Sequence, residues 1–246
     1  MSDGAPAQAR FRFHGELAAF LAPFRRERAF AHTCARAATL KHAVESLGIP
    51  HTEVGSVTVN GERATLARRV REGDVVEVFP WRTPAECSEA TPTFVADAHL
   101  SGLARLLRML GFDTLYDNAY ADDALLEIAA EERRVILTRD RALLKRREVL
   151  RGAFVHARRP EAQLREVARR FDLQRRARPF TLCLHCNLAL KPVETAWATA
   201  RVPDRVAAHY RDFVRCPGCE RIFWQGSHWR RMRDMLAETF TSPAPA

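Results

Sequence analysis

The sequence predicts a mixed fold in three parts: an N-terminal α+β domain, a central α/β domain with a mostly parallel sheet, and a small cysteine-rich domain. Strand and hairpin patterns occupy residues 10–82, and short apolar strands alternate with helical patterns over residues 93–180. Two Cys-x-x-Cys pairs then lie within residues 181–235. Residues 83–92 have the composition of a linker, and residues 236–246 are expected to be a disordered tail.

The sequence argues against a membrane-spanning protein, a secreted protein and a disulfide scaffold. The chain has 246 residues, of which 47% are apolar, and this is enough for real hydrophobic cores. It contains no apolar run of about 18 residues, and its first residues lack a signal-peptide pattern, so we expect a cytoplasmic protein. Six cysteines in a chain of this length do not make a disulfide scaffold. Cys34 and Cys87 belong to no motif, and we assign them no role.

The N-terminal domain shows strand alternation at its start and a hairpin in its middle. Asn60-Gly61 follows a β-branched run and predicts a tight hairpin turn, and Val75–Pro80 is a strand that follows the Gly73-Asp74 turn. These elements, with a helix ended by Gly48, resemble a ubiquitin-like β-grasp domain related to small sulfur carriers. Such carriers activate a free C-terminal carboxylate. That chemistry is not available to this domain, because the chain continues past Pro80. We interpret the domain as a docking or stabilising module with a protein partner.

Two strands of the central domain end in aspartate. Residues 135–138 are four apolar or β-favouring residues in a row that lead to Asp140, and the short run of residues 93–96 leads in the same way to Asp97. Ligands in open α/β sheets bind at the carboxyl ends of strands, so we expect these carboxylates at one edge of the sheet. Acidic groups that converge repel each other unless a cation is bound, and all-oxygen ligands favour Mg²⁺ or Mn²⁺.

A third acid is expected from the start of the next helix. Asp122 or Asp123 completes the predicted Mg²⁺ or Mn²⁺ site with Asp97 and Asp140. The alternative is that Asp122 serves only as the helix N-cap, as Ser101 is expected to do for the helix that ends at Gly111. Thr138 is predicted to orient Asp140 or a metal-bound water, and Arg139 to contact phosphate.

The central part resembles a known family. The phrases that carry the resemblance are Phe94-Val95-Ala96-Asp97-x-His99-Leu100, Gly111-Phe112-Asp113, Asp122-Asp123-x-Leu125-Leu126 and Ile136-Leu137-Thr138-Arg139-Asp140-Arg141. Over about residues 93–235 the chain is similar to the PIN-like RNase domain of the "Mut-seven C-terminal" type, which joins a PIN-like α/β/α sandwich to a zinc ribbon. The resemblance implies metal-dependent cleavage of RNA.

The sequence departs from the PIN pattern after Asp140. Many PIN nucleases have a further acid there, whereas residues 141–146 are Arg, Ala, Leu, Leu, Lys and Arg. A second metal ion is therefore poorly supported, and we expect either weak activity or a need for Asp117 as a substitute for the missing acid. Two other functions remain open. One is a non-catalytic RNA-binding or ribosome-associated adaptor, and the other is a PIN-type toxin, against which the extra domains argue.

Charge is unevenly distributed along a chain whose net charge is +9. Residues 83–140 carry five basic and eleven acidic side chains, whereas residues 141–180 carry thirteen basic and four acidic ones. Because Lys and Arg replace the counterions of a polyanion, we expect the basic segment to bind RNA phosphates. The predicted contacts are Arg141, Lys145, Arg146 and Arg147, together with Arg230 and Arg231 near the C-terminus.

The cysteine-rich domain carries the most specific motif in the sequence. Cys183 and Cys186 form one Cys-x-x-Cys pair, Cys216 and Cys219 form the other, and 29 residues lie between the two pairs. Four thiolates make a closed tetrahedral site, so we expect structural Zn²⁺, and a redox dithiol is the alternative. His185 is expected to be a bystander. Three other side chains are candidates to stack on RNA bases: Trp224, His228 and Trp229. For Trp224, packing in the ribbon core is the alternative.

Overall fold

The computed structural model describes residues 6–81 and 91–241. In chain order the strands and helices are β1 (Ala7–Phe13), β2 (Phe30–Cys34), α1 (Leu40–Ser46), β3 (Val54–Val59), β4 (Glu62–Ala64), β5 (Val75–Pro80), β6 (Phe94–Ala96), α2 (Ser101–Met109), β7 (Thr114–Tyr116), α3 (Asp122–Glu131), β8 (Val135–Thr138), α4 (Arg141–Lys145), β9 (Gly152–Phe154), α5 (Pro160–Phe171), β10 (Lys191–Val193), α6 (Thr195–Thr199), α7 (Asp204–His209), β11 (Phe213–Arg215), β12 (Ile222–Phe223) and α8 (Ser227–Thr241).

The chain divides into two compact units that are not continuous in sequence. The first unit contains residues 6–81 and 120–155 of the described chain, and the second contains residues 91–119 and 156–241. Within the described ranges, no helix has both the length and the apolar character needed to cross a membrane.

The N-terminal part of the first unit is a five-stranded mixed sheet in the order β2-β1-β5-β3-β4. Its centre is the parallel pair β1 and β5, in which Phe11 is paired with Val76. Alternate residues of β1 are buried because only one face of the sheet packs on the core, where Leu40 and Val44 of α1 also lie. This is the β-grasp arrangement that the resemblance implied.

The predicted hairpin has the turn chemistry that its sequence requires. Asn60 and Gly61, between β3 and β4, both have positive φ, 54° and 86°, as a type I′ turn demands. The turn is anchored because the Asn60 side chain donates to Asp74 and accepts from the backbone N–H of Val75. Asp74 is buried and also binds the guanidinium of Arg68 at 2.6 Å, so one carboxylate connects the β3–β4 turn with the segment between β4 and β5.

The rest of the first unit packs against this N-terminal sheet domain. The backbone N–H of Phe154 in β9 donates to Glu53 Oε1 at 2.8 Å, and the Glu53 side chain is buried. His51 Nε2 lies 2.9 Å from the carbonyl oxygen of Val149. The Phe154 ring contacts the Phe20 ring edge-on and extends the N-terminal core. The N-terminal domain therefore stabilises the segment that carries β8 and β9.

In the second unit β6 and β7 pair in parallel, as β8 and β9 do in the first unit. The α2 helix is buried on most of its surface and contacts α5. The C-terminal part has a three-stranded antiparallel sheet, β10-β11-β12, over a small core of Ala198, Val206 and Phe213. The predicted fold class, an N-terminal β-sheet domain, parallel strands with helices and a cysteine-rich ribbon, is confirmed.

Several local predictions are corrected. Ser101 is not a cap: it has helical φ and ψ in α2, and the capping carboxylate belongs to Asp97, which precedes a short 3₁₀ turn. Asp122 is not the N-cap of α3 either, since Ala121 has the extended backbone and Asp122 is the first helical residue. Carboxylates in that first turn still favour the helix dipole.

The C-terminal helix is longer than the sequence suggests. α8 runs to Thr241, so it includes residues 236–241, where the sequence predicts a disordered tail. Residues 242–246, Cys87 and nearly all of the predicted linker, residues 83–90, lie outside the described residues.

Candidate functional site

The four cysteines come together in the second unit. Their sulfur atoms all lie within 4.8 Å of one another, and among the residues described this is the one group of three or more Cys, His, Asp or Glu that is so close. Cys183 and Cys216 are fully buried, and the sulfurs of Cys183 and Cys219 are 3.8 Å apart. A tetrahedron with Zn–S bonds of about 2.3 Å places its sulfurs about 3.8 Å apart, so the donor set can hold zinc.

The two Cys-x-x-Cys turns have the same backbone geometry. The residue after the second cysteine, Asn187 or Glu220, has positive φ, and its N–H donates to the carbonyl of the first cysteine. Backbone N–H groups also point at sulfur: Cys186 N lies 3.5 Å from Cys183 Sγ, and Gly218 N lies 3.4 Å from Cys216 Sγ. These donors favour the thiolate form that a metal ion needs.

Electrostatics within the cluster separate the thiols. Burial opposes ionisation of Cys216, but hydrogen bonds from the backbone of Cys219 and Gly218 lower the pKa of its thiol to about 7. Burial and the neighbouring thiols of Cys219 and Cys216 raise the pKa of Cys186 to about 12. Without a cation the cluster therefore holds negative charge at Cys216 first and resists further ionisation.

A buried arginine attaches the first cysteine turn to α2 and β7. Arg108 is 6% exposed, and its guanidinium donates to the carbonyl oxygens of Thr114 at 2.9 Å, Leu184 at 3.2 Å and His185 at 2.8 Å. Asn187 adds a second attachment, since its side chain accepts from Thr114 N and donates to Asp113 Oδ1 at 2.6 Å. Sequence reasoning missed both roles, and His185 contributes its carbonyl rather than its ring.

The predicted acids of the second unit lie at the ends of neighbouring strands. Ala96 of β6 pairs with Tyr116 of β7, and each is followed by an aspartate, Asp97 or Asp117. Asp97 Oδ1 accepts from the backbone N–H of His99 at 3.3 Å and lies 3.2 Å from Nδ1 of that ring. Asp117 Oδ1 accepts from Ala119 N at 2.9 Å. The parallel register thus places the two aspartates at the neighbouring ends of β6 and β7.

The predicted acids of the first unit lie around β8 and the start of α3. Asp140 is exposed just beyond β8, its N–H donates to Thr138 Oγ1, and its Oδ1 accepts from Ala142 N at 2.6 Å as the cap of α4. Thr138 is fully buried and holds the backbone of this turn. Asp123 forms an ion pair with Arg146 at 2.7 Å.

The predicted phosphate contacts have different surroundings. Arg141 is turned inward, since its guanidinium lies 4.8 Å from the Phe20 ring centroid and 5.4 Å from that of Phe154. Arg146 is engaged by Asp123 and Glu148. Four of the predicted arginines are exposed: Arg139 after β8, Arg147 after α4, and Arg230 and Arg231 in α8. Lys145 is half-buried.

The predicted stacking residues line a cleft beside the cysteines. Its volume is about 750 Å³, and we define this aromatic cleft by Phe180, Phe223, Trp224, His228, Trp229 and Met232. Trp224 also packs on the ribbon core, as predicted, and lies near Tyr210. The rings of Phe180 and Trp229 are 5.1 Å apart.

The fold joins an N-terminal β-sheet domain and parallel strands with helices to a ribbon whose four cysteines can hold zinc, and comparison with known families assigns this architecture to a nuclease-like class. A family model described as the Mut7-C RNAse domain matches residues 92–236, more than half of the chain, so the protein belongs to that family. A second model, Mut7-C ubiquitin, matches residues 6–86. Both confirm the resemblances stated for the sequence. No curated protein and no solved structure gives a significant match.

Proposed function

We propose that the protein is a metal-dependent ribonuclease, with Asp97 and Asp140 as ligands of Mg²⁺ or Mn²⁺. The observation that carries the proposal is the common setting of these two side chains within an RNase-domain family. Each follows a strand that is buried throughout, and each is held by an N–H two residues further on. Carboxylates fixed at strand ends have the oxygen donors that these ions prefer.

Asp122 is a better candidate than Asp123 for the third ligand of the metal ion. Asp123 is neutralised by Arg146, whereas Asp122 is exposed in the first turn of α3. Asp117 is the other candidate, because the register of β6 and β7 brings it beside Asp97. The ion, when bound, lowers the pKa of a coordinated water and stabilises charge on the scissile phosphate. Thr138 positions Asp140 by accepting from its N–H, and Arg139 is exposed for a phosphate contact.

The zinc centre has a structural role in this proposal. Four thiolates leave no open position for a substrate, and two of them are fully buried. The finer assignments, RNA as the partner and a protein partner for the β-grasp domain, rest on family membership and on the basic surface.

Asparagine substitution tests the ribonuclease proposal with little risk to the fold, because Asn caps helices as well as Asp does. We expect Asp97→Asn and Asp140→Asn to reduce cleavage of single-stranded RNA in Mn²⁺ by at least about 100-fold, since a metal ligand contributes several kcal/mol to the transition state. Asp204→Asn, at the start of α7, is the matched control and should cleave like the parent.

If both variants cleave as fast as the parent, the ribonuclease proposal is wrong. Retained RNA binding without any cleavage by the parent would instead support the non-catalytic adaptor. That reading is favoured by one observation, the ion pair in which Arg146 engages an acid of the predicted site.

A further inference from the structure

The aromatic cleft has the size and the lining of a site for flat rings. A volume of about 750 Å³ lies in the range of small-ligand sites and exceeds that of a single nucleobase. Phe180, Phe223, Trp224 and Trp229 supply aromatic surface, and Trp229 is only half-buried. Polar groups are also present at the wall, where His228, Arg211 and Asp212 are exposed.

The wall of the cleft is held in place by the core of the second unit. Phe180 N donates to the carbonyl of Met109, and Arg178 N donates to the carbonyl of Leu110, so the segment before the cleft follows the end of α2. Gly111 has φ of +88°, and a Cβ there would collide with the carbonyl of Arg178. The position of Phe180 is thus fixed by backbone contacts, and stacking on a fixed ring costs little ordering entropy.

The segment that precedes the cleft in the sequence is rich in arginine. Residues 156–180 contain eight arginines against three acids, and the last arginine, Arg178, is two residues from Phe180. Residues 181–235, which form the rest of the cleft, contain nine basic and five acidic side chains. Arg233 also lies 5.4 Å from the centroid of Trp229. The lining of the cleft itself contains Arg211 against Glu194 and Asp212, so we place the phosphates on the basic segments and only the bases against the rings of the cleft.

We propose that the aromatic cleft is a base-stacking subsite for single-stranded RNA, with the neighbouring phosphates on the arginines of residues 158–178. The inference rests on the proposed function for its substrate class and adds a site for the bases to the predicted metal ligands. Rings accept any base, so the subsite selects single strands over duplexes and imposes little sequence preference.

The test measures binding without catalysis. The zinc-loaded full chain, with no added Mg²⁺ or Mn²⁺, is titrated with a single-stranded RNA that carries 2-aminopurine, and with a duplex of the same length. We expect Trp229→Ala to weaken single-strand binding about 5- to 100-fold and to abolish the quenching of 2-aminopurine, because one stacked base is lost. Trp229→Phe should retain most of the affinity. Duplex binding should not change.

Two further variants distinguish the loss of a stacking contact from the loss of the fold. Trp81→Ala removes a partly exposed indole of the N-terminal domain that does not line the cleft, and it should bind like the parent. His228→Glu places a carboxylate at an exposed position of the wall, and it should weaken binding of the single strand while leaving the zinc content unchanged.

Equal single-strand affinity for the parent, Trp229→Ala and His228→Glu overturns the proposal. Competition by poly-glutamate that is as strong as competition by RNA, and is lost in Trp229→Ala, also overturns it and identifies an acidic peptide as the occupant. Failure of the ribonuclease proposal is separate, because it is read from cleavage in Mn²⁺ by the aspartate variants, and binding in the cleft does not depend on that result.

Discussion

Replacement of Arg108 by Met should uncouple the zinc site from the sheet. The Met side chain keeps much of the apolar volume in α2 but removes the guanidinium that donates to Thr114, Leu184 and His185. Because Arg108 is 6% exposed, water has little access to replace these hydrogen bonds. The three carbonyls then lose a charged donor, and the carbonyl of the fully buried Thr114 has no substitute for it.

The expected magnitude follows from the number and kind of these hydrogen bonds. A hydrogen bond to a charged group contributes roughly 1.5–3 kcal/mol. Three of them, one at the longer distance of 3.2 Å, predict a loss of about 4–5 kcal/mol in the free energy of unfolding when each is taken at the lower end of that range. Two of the three acceptors belong to the first cysteine turn. If about 3 kcal/mol depends on that turn being formed around zinc, zinc affinity falls about 100-fold.

Two assays measure the two effects. Urea unfolding followed by tryptophan fluorescence gives the free energy of unfolding, and competition with a chromophoric chelator gives the affinity for zinc. Arg105→Met is the matched control, since Arg105 lies one turn earlier in α2 and is exposed. An Arg108→Met protein whose stability lies within about 0.5 kcal/mol of the control, with parental zinc affinity, would refute the coupling.

Two further predictions concern the N-terminal domain. Burial alone raises the pKa of Asp74, but hydrogen bonds from Arg68 and from the backbone of Arg71 lower it overall. The stability that Asp74 contributes is therefore present above its unfolded pKa of about 4 and is lost as pH falls through the lower, folded value. Urea midpoints measured from pH 6 to pH 3 should fall more steeply for the parent than for Asp74→Asn, and equal slopes would contradict this. Glu53→Ala leaves the N–H of Phe154 without its carboxylate acceptor and should cost about 1–3 kcal/mol, with faster hydrogen exchange at that amide. Glu62→Ala, on exposed β4, should match the parent, and a Glu53→Ala protein equally stable to it would show that this contact does not join the two segments.

The sequence predicted the features whose causes are local. Asn60-Gly61 determines its own turn because few residues other than Asn and Gly adopt two successive positive φ angles. The runs before Asp97 and Asp140 are apolar because both faces of those strands are buried. The two Cys-x-x-Cys pairs likewise contain their ligand geometry in four residues each.

Features that depend on distant partners were not predictable. Arg108 lies 76 and 77 residues from two of its acceptors, and an arginine on a helix is normally expected at the surface. β7 has three residues and no distinctive pattern, so its strand character depends on pairing with β6. The sequence favours Ser101 as the cap of α2 because capping preference cannot reveal the 3₁₀ turn that Asp97 begins.

Arg108 and Asn187 give the zinc centre an influence beyond the ribbon. Their side chains hold Thr114 at the start of β7, and the same strand ends beside Asp97, where Asp117 follows. Because β7 has only three residues, a displacement at Thr114 is carried to the position of Asp117 with little room for relaxation. Zinc held by the four cysteines would therefore support the neighbouring ends of β6 and β7 without contacting a substrate. If the protein is the proposed ribonuclease, removal of zinc should abolish cleavage even in excess Mn²⁺, because the acids are displaced and not because a zinc-bound water is lost.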